Sequence, residues 1–333
     1  MSEYFEFQMS SSYRSGTSSY LDAESKSINR HDPGDRRRAL ETIKDMIGAS
    51  TNLVLRDKSC YVDDEFLMRF LYARKFRIDE AFELIVNYHS YLQRNRLLLQ
   101  RLTIFDETIQ LALRDGFPSV LADRDRRGRK VIVFFTSNWD PTAFSMEVVY
   151  RAFLLSLEKL LEDKQNQSQG FIVIVDWTNF TLRQSSHLAP KTLKLMIEGL
   201  QDCLPVQFKA IHFIAQPWYV EAALAVIKPF LKEKTRNRIK LHGGNLSTLH
   251  ECVPKDILPT ELGGEGPALN ALDWYHTLLE SSQTMDSPKS YRITETTIYS
   301  MPPKGFVKGS SENLKANFEP TAKTALIEVK HNL

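Results

Sequence analysis

The run GFIVIVDWTN, residues 170–179, packs five apolar side chains, all β-branched or aromatic, between a glycine and an acid. Five such residues are too few for a core helix and fit a strand buried on both faces. Two similar runs accompany it, RKVIVFFTSN at 129–138 and FKAIHFIAQP at 208–217. Helical stretches lie between them, at about 145–163 and 187–202. Short apolar strands alternating with helices predict βαβ units and a mostly parallel sheet. The fold class is therefore α/β.

Upstream the pattern is helical. Asp35 is placed to cap a helix from Arg36 to about Ile47. DDEFLMRFLYARKF (63–76) has acids at its start and bases at its end, as the helix dipole favours. In IDEAFELIVNYHSYLQRNRLLL (78–99), Ile78, Phe82, Ile85, Tyr88 and Leu92 form one stripe at helical spacing. The expected organisation is a disordered arm over 1–34, a small all-α domain over 35–104, an α/β domain over 105–281 closing near LPTELGGEGP, and a flexible Ser/Thr/Pro/Lys-rich tail over 282–333.

The chain has 333 residues and a formal net charge of only +2, so affinity for an anionic partner must come from local clustering, and nucleic acid is not an expected partner. Three scattered cysteines, Cys60, Cys203 and Cys252, fit a reducing compartment and no metal site. No apolar run approaches the ~20 residues that span a bilayer. The expected location is the cytoplasm, or a membrane met from that side.

Catalytic signatures are missing. There is no GxxxxGK phosphate loop, no GxSxG elbow and no GxGxxG after a strand, and HECVP lacks the second histidine of HExxH. Asp176 is read as a cap on the turn after its strand, His212 as a satisfied core histidine, and His242 as part of a glycine turn. The expectation is a protein that is not an enzyme and carries no cofactor or metal.

Downstream of the strands lies PWYVEAALAVIKPFLKEKTRNRIKLHG, residues 217–243. Val220, Ala223, Leu224, Ile227, Phe230 and Leu231 share one helix face. Pro229 is expected to push Lys228 out of helical geometry and to open a second helix bearing Lys232, Lys234, Arg236 and Arg238, with Lys240 just beyond. Between Pro205 and Lys240 there are seven bases and two acids, a local excess of five positive charges. A core helix followed by a solvated basic one fits this pattern. So does a hinged apolar lid with a basic edge that meets anionic lipid.

FLMRFLYARKF, NWDP, VDWTNF, IEGLQDCLP, IHFIAQPWY, IKPFLKEK and LPTELGG occur in this order across residues 35 to 280. In this the chain resembles the CRAL-TRIO lipid-transfer family, nearest its clavesin branch, then the tocopherol-carrier and retinaldehyde-binding branches. The resemblance implies a helical domain packed on an α/β lipid-binding domain whose cavity is closed by an amphipathic gate helix, here Trp218 to Leu231. It implies cavity walls at Tyr150, Phe153, Leu157, Phe171 and Leu200, and at Leu204, Val206, Phe208 and Ile211. It assigns phosphoinositide-binding roles to Arg74, Lys209, Lys234 and Arg238, with Gln207 where a fifth base is expected and Lys232 and Arg236 as neighbouring substitutes. The implied ligand is a retinoid, a tocopherol-like molecule or an acyl lipid. The implied docking site is a phosphoinositide membrane, phosphatidylinositol 3,5-bisphosphate included, on endosomes or the trans-Golgi. A lipid-sensing trafficking adaptor that meets clathrin or its adaptor proteins is the alternative.

Overall fold

A computed structural model describes residues 32–55, 63–100 and 102–283. Most of the expected arm, nearly all of the expected tail, and Cys60 lie outside the described residues.

The first helix, α1 (Pro33–Ala49), opens earlier than Asp35 suggests. Asp32 is its cap, accepting from the Gly34 amide at 2.9 Å, and Pro33 takes the first-turn place that tolerates a missing N–H. α2 (Asp64–Ala73) is capped by Asp63, whose carboxylate accepts from the amides of Glu65 and Phe66. α3 (Ile78–Arg94) packs on α1 and α2, and edge-to-face contacts join Phe66, Phe70 and Tyr88, with ring centroids 5.1–5.8 Å apart. The buried face of α3 is wider than the predicted stripe. Ala81, Leu84, His89 and Tyr91 join Ile85, Tyr88 and Leu92 inside, while Ile78 and Phe82 are half-buried. The helix is wedged between its neighbours on one side and the π-helical turn Gly199–Cys203 on the other, so more than one stripe is covered. α4 (Arg96–Leu99) and α5 (Glu107–Arg114) lead into the sheet.

β1 (Ser119–Arg124) and β2 (Lys130–Phe135) form an antiparallel hairpin. Asp125 closes its turn by accepting from the Arg127 and Arg129 amides, and Gly128 supplies the positive φ, +72°, that the turn needs. Then follow α6 (Met146–Leu160), α7 (Lys164–Gln169), β3 (Phe171–Asp176), α8 (Leu182–Ser185), α9 (Pro190–Glu198), β4 (Phe208–Ile214), α10 (Trp218–Ile227), α11 (Glu233–Arg236), β5 (Ile239–Leu241), α12 (Leu246–His250) and α13 (Ala271–Gln283). Sheet order equals chain order, β1-β2-β3-β4-β5, and β2 through β5 are parallel. Right-handed crossovers that always step the same way leave their helices on one face of the sheet.

Two cores result. On the helix side Phe171, Val173 and Phe208 meet α6 and the all-α segment. On the other side Ile172, Ile174 and Ile214 meet Leu249, Val253, Leu258 and Leu262 from the segment after β5. The alternation along β3 follows from the pleat. In β4 the pairing skips from Phe208 to Ala210, so Lys209 is an extra, bulged residue, and Phe208 stays on the side of Ile211 and Phe213.

Candidate functional site

All nine predicted wall residues fall in the helix-side core. Tyr150, Phe153, Leu157, Phe171, Leu204, Val206 and Phe208 are buried, and Leu200 and Ile211 are partly so. Phe153 lies 5.4 Å from Phe134 and 6.1 Å from Phe208, centroid to centroid, and Phe208 lies 6.2 Å from Phe171. The wall's one buried hydroxyl is engaged. Tyr150 and Tyr91 hydroxyls are 2.8 Å apart, and Tyr91 donates to the Leu195 carbonyl at 3.0 Å. Burial raises both phenol pKa values, so neither ionises in the ordinary pH range. Gly199 is required here, because a Cβ would collide with both hydroxyls. A separate open cleft of about 560 Å³ lies among Leu97, Leu98, Asp106, Val148, Arg151 and Leu195, and includes no predicted wall residue.

α10 joins the helix-side core through Val220, and Leu224 and Leu231 are also buried. Ile227 is half-buried and Ala223 exposed. Trp218 (76% exposed), Val226 (70%) and Phe230 (65%) point into solvent, an arrangement a helix serving only as core would avoid. Phe230 departs from the predicted inner face because Lys228–Phe230 is a 3-10 turn, which rotates each residue further than an α-helix does. Lys228 itself stays helical, with φ −47° and ψ −40°. Pro229 fits the first positions of the 3-10 turn, and the break falls at Leu231 and Lys232, whose ψ values are 132° and 146°. The second helix, α11, is then a single turn. Arg238 lies after it and Lys240 lies on β5.

The far end of this segment is fastened. The Gln201 side chain accepts from the Lys232 amide at 2.8 Å and donates to the Phe230 carbonyl at 3.4 Å, and Asp202 pairs with the Lys232 ammonium. At the near end the Tyr219 hydroxyl donates to the Phe180 carbonyl.

The downstream members of the basic cluster, Lys234, Arg236 and Arg238, follow this segment in the chain. Burial lowers the pKa of Lys234, and the positive charges of Arg238, Arg74, Lys75 and Arg77 lower it further. Burial also lowers those of Arg74 and Arg238, opposed at Arg74 by Glu80, Asp202 and Glu83. Arg236 is exposed on α11, while Lys209 donates to Gln207 at 2.6 Å. Among the described residues Arg74, Lys234, Arg236 and Arg238 form no ion pair. Cations that outnumber the acids beside them and form no ion pair favour an anion between them.

The sequence matches the CRAL/TRIO domain over residues 114–264. It is 48% identical to Clavesin-2 of Homo sapiens over 242 residues, 73% of this chain and 72% of that protein. The chain belongs to the CRAL-TRIO lipid-binding family. Clavesin-1 of Xenopus laevis is 46% identical over 248 residues, 74% of this chain and 73% of its own. The crystal structure of Sfh5 aligns with a TM-score of 0.49 at 15% identity, covering 76% of this chain and 98% of Sfh5.

Within this CRAL-TRIO frame several features escaped sequence reading. Lys75 and Arg77 join the basic cluster, although in ARKFR they look like helix-end bases. His242 is the partner of His212: the rings stack with 5.1 Å between centroids, and His242 Nε2 lies 2.8 Å from His212 Nδ1. Thr248 gives its proton to the Asn245 carbonyl, so it accepts from His242 Nδ1, and His212 must then donate to His242 Nε2. Asp176 does cap its turn, accepting from the Thr178 amide and hydroxyl. No described helix is long and apolar enough to cross a membrane, and the described residues include no cluster of three or more potential metal ligands.

Proposed function

We propose that this chain is a non-enzymatic lipid carrier that docks on phosphoinositide-bearing membranes at the cytosolic face of endosomes or the trans-Golgi. The observation that carries the reading is the adjacency of α10 to the basic cluster. Val220 packs with an aromatic wall that can shield an apolar molecule, each CH₂ removed from water being worth about 0.8 kcal/mol. On the opposite side Trp218, Val226 and Phe230 present apolar surface beside cations that have no acid partner. Cations near an anionic bilayer contribute about 1 kcal/mol each, enough together for reversible docking. No nucleophile or acid–base pair is needed for exchange. Similarity to the clavesins supports the reading through the family alone.

The test has two arms. Mass spectrometry of organic extracts from the purified protein should find one lipid in stoichiometric amount. Sedimentation with phosphatidylcholine vesicles should show binding that depends on added phosphatidylinositol 3,5-bisphosphate. Absence of bound lipid from protein that also ignores the phosphoinositide would overturn the proposal.

A further inference from the structure

We propose that the turn ending α2 supplies a further headgroup ligand, Lys75, and that Gln207 is the positioning residue that holds this turn in the site. The inference rests on the headgroup reading above and adds residues to it.

Gln207 stands where a base was expected and cannot supply charge, yet both ends of its amide are engaged. Nε2 donates to the Tyr72 carbonyl at 2.5 Å, and Oε1 accepts from Lys209 Nζ at 2.6 Å. The same Tyr72 carbonyl accepts the Lys75 amide at 3.1 Å and is one of two acceptors of the Arg74 amide. One oxygen at the end of α2 therefore gathers Arg74, Lys75 and Gln207. Through Gln207 the turn is tied to Lys209, the bulged residue of β4, across 135 positions of sequence.

The turn is an unusual one. Lys75 and Phe76 both have positive φ, 54° and 62°, a region that non-glycine residues rarely occupy and two in succession more rarely still. Phe76 is buried, with its ring 5.2 Å from that of Tyr72, so the turn is anchored from below. Lys75 is the exposed member, and it makes no side-chain hydrogen bond or ion pair among the described residues. On β4 the Ile211 amide donates to the Arg238 carbonyl at 2.9 Å, so Gln207 ties the turn to the strand that carries Arg238 beside it. Beyond burial, the Lys75 charge helps to lower the Lys234 pKa.

Two of the three acids near Arg74 are already engaged, and Glu83 is the third. Glu80 pairs with Arg77 at 2.5 Å and Asp202 pairs with Lys232. That leaves Arg74 and Lys75 from one segment and Lys234 and Arg238 from another, none of them in an ion pair among the described residues. Such an arrangement repels itself until phosphates bridge it. A fixed turn makes the cost of ordering Lys75 small when they do. The partner is a membrane-borne inositol phospholipid carrying more than one phosphate.

The experiment uses the full chain and phosphatidylcholine vesicles with phosphatidylinositol 3,5-bisphosphate, and phosphatidylserine vesicles as control. Lys75→Asn is chosen because asparagine tolerates positive φ. It should weaken binding about fivefold, the factor equivalent to about 1 kcal/mol per membrane-facing cation, with an unchanged melting temperature. Gln207→Met, and Gln207→Glu as a second variant that loses the donor to Tyr72, should each weaken binding. The Lys75→Asn/Gln207→Met pair should lose less than the sum of the two single losses, because Gln207 acts in part through Lys75. A soluble inositol polyphosphate should compete. If Lys75→Asn binds as the wild type does while Lys234→Ala/Arg238→Ala is weakened, this inference is overturned and docking stands. Strictly additive losses overturn the positioning role. Equal binding to phosphatidylserine, or no binding by the wild type, removes the headgroup reading and this inference together.

Discussion

A single histidine illustrates how far residue type leads and where it stops. His212, inside an apolar strand, was expected to be a satisfied core residue, and its burial agrees. Nothing in a one-dimensional reading pairs it with His242, thirty residues away, because the pairing comes from the register of β4 with β5, where His212 faces Lys240. Burial first, then the charges of His242, Lys240 and Arg129, push its pKa from 6.5 to about 3. The unfolded chain therefore binds a proton that the folded one refuses between those values. Stability should be full above pH 6.5 and fall with acidification, by up to about 1.4 kcal/mol per pH unit. His212→Gln should flatten thermal-melting curves between pH 7 and 5, and an equally steep decline in that variant would assign the acid sensitivity elsewhere. Gln207 teaches a similar lesson, since its identity says that a charge is missing while only its partners say what it does. For Lys234→Ala/Arg238→Ala, the expected result is weaker phosphoinositide-vesicle binding with stability altered by less than about 0.5 kcal/mol, because both groups lack acid partners. Vesicle sedimentation and melting, run side by side, check it.

Among the elements, the three apolar strands and the apolar helix at 218 were legible because their periodicities are strong. Boundaries near prolines were less so. Pro33 entered a helix thought to start later, and Pro229 left Lys228 helical, since a 3-10 turn absorbs the missing N–H. The fastening of the lid was not visible at all: Gln201 and Asp202 lie in IEGLQD, which reads as an ordinary helix end until the chain folds back. In the structure that end is a π-helical turn, and it brings Gln201 to the backbone on both sides of Leu231. We expect Gln201→Leu/Asp202→Asn to raise amide hydrogen exchange across residues 217–232 and to leave the α3 core unchanged. Lipid loading should slow exchange over the same span. Equal rates in wild-type and variant protein would mean that the lid is held by its apolar contacts alone.

For the whole molecule, the architecture of helices over a parallel sheet was readable, whereas the wall's tightness depends on side chains from α6, β3 and β4 converging. Phe153 and Leu157, positions at which serine would offer a hydroxyl, are both buried against other apolar groups. An aromatic wall without those hydroxyls should accept α-tocopherol weakly, since a buried hydroxyl with no partner forfeits about 1–3 kcal/mol. Phe153→Ser/Leu157→Ser should lower the melting temperature, in keeping with the roughly 3–5 kcal/mol that deletion of a buried phenylalanine ring costs. It should also raise tocopherol uptake in a direct titration. Tight, stoichiometric binding by the unaltered protein would show that these two positions do not govern choice.

The agreement between sheet order and chain order also bears on how the protein is made. A nascent chain can add β2, β3, β4 and β5 one after another to a growing edge, with no strand waiting for a later one to be inserted inside it. Each addition still leaves a bare edge, and after Asp176 the whole FIVIV run is displayed until Phe208 and its followers leave the ribosome at about 5–20 residues per second. Translation pauses between these two strands would lengthen that display, so codon choice over residues 177–207 should govern how much newly made protein aggregates.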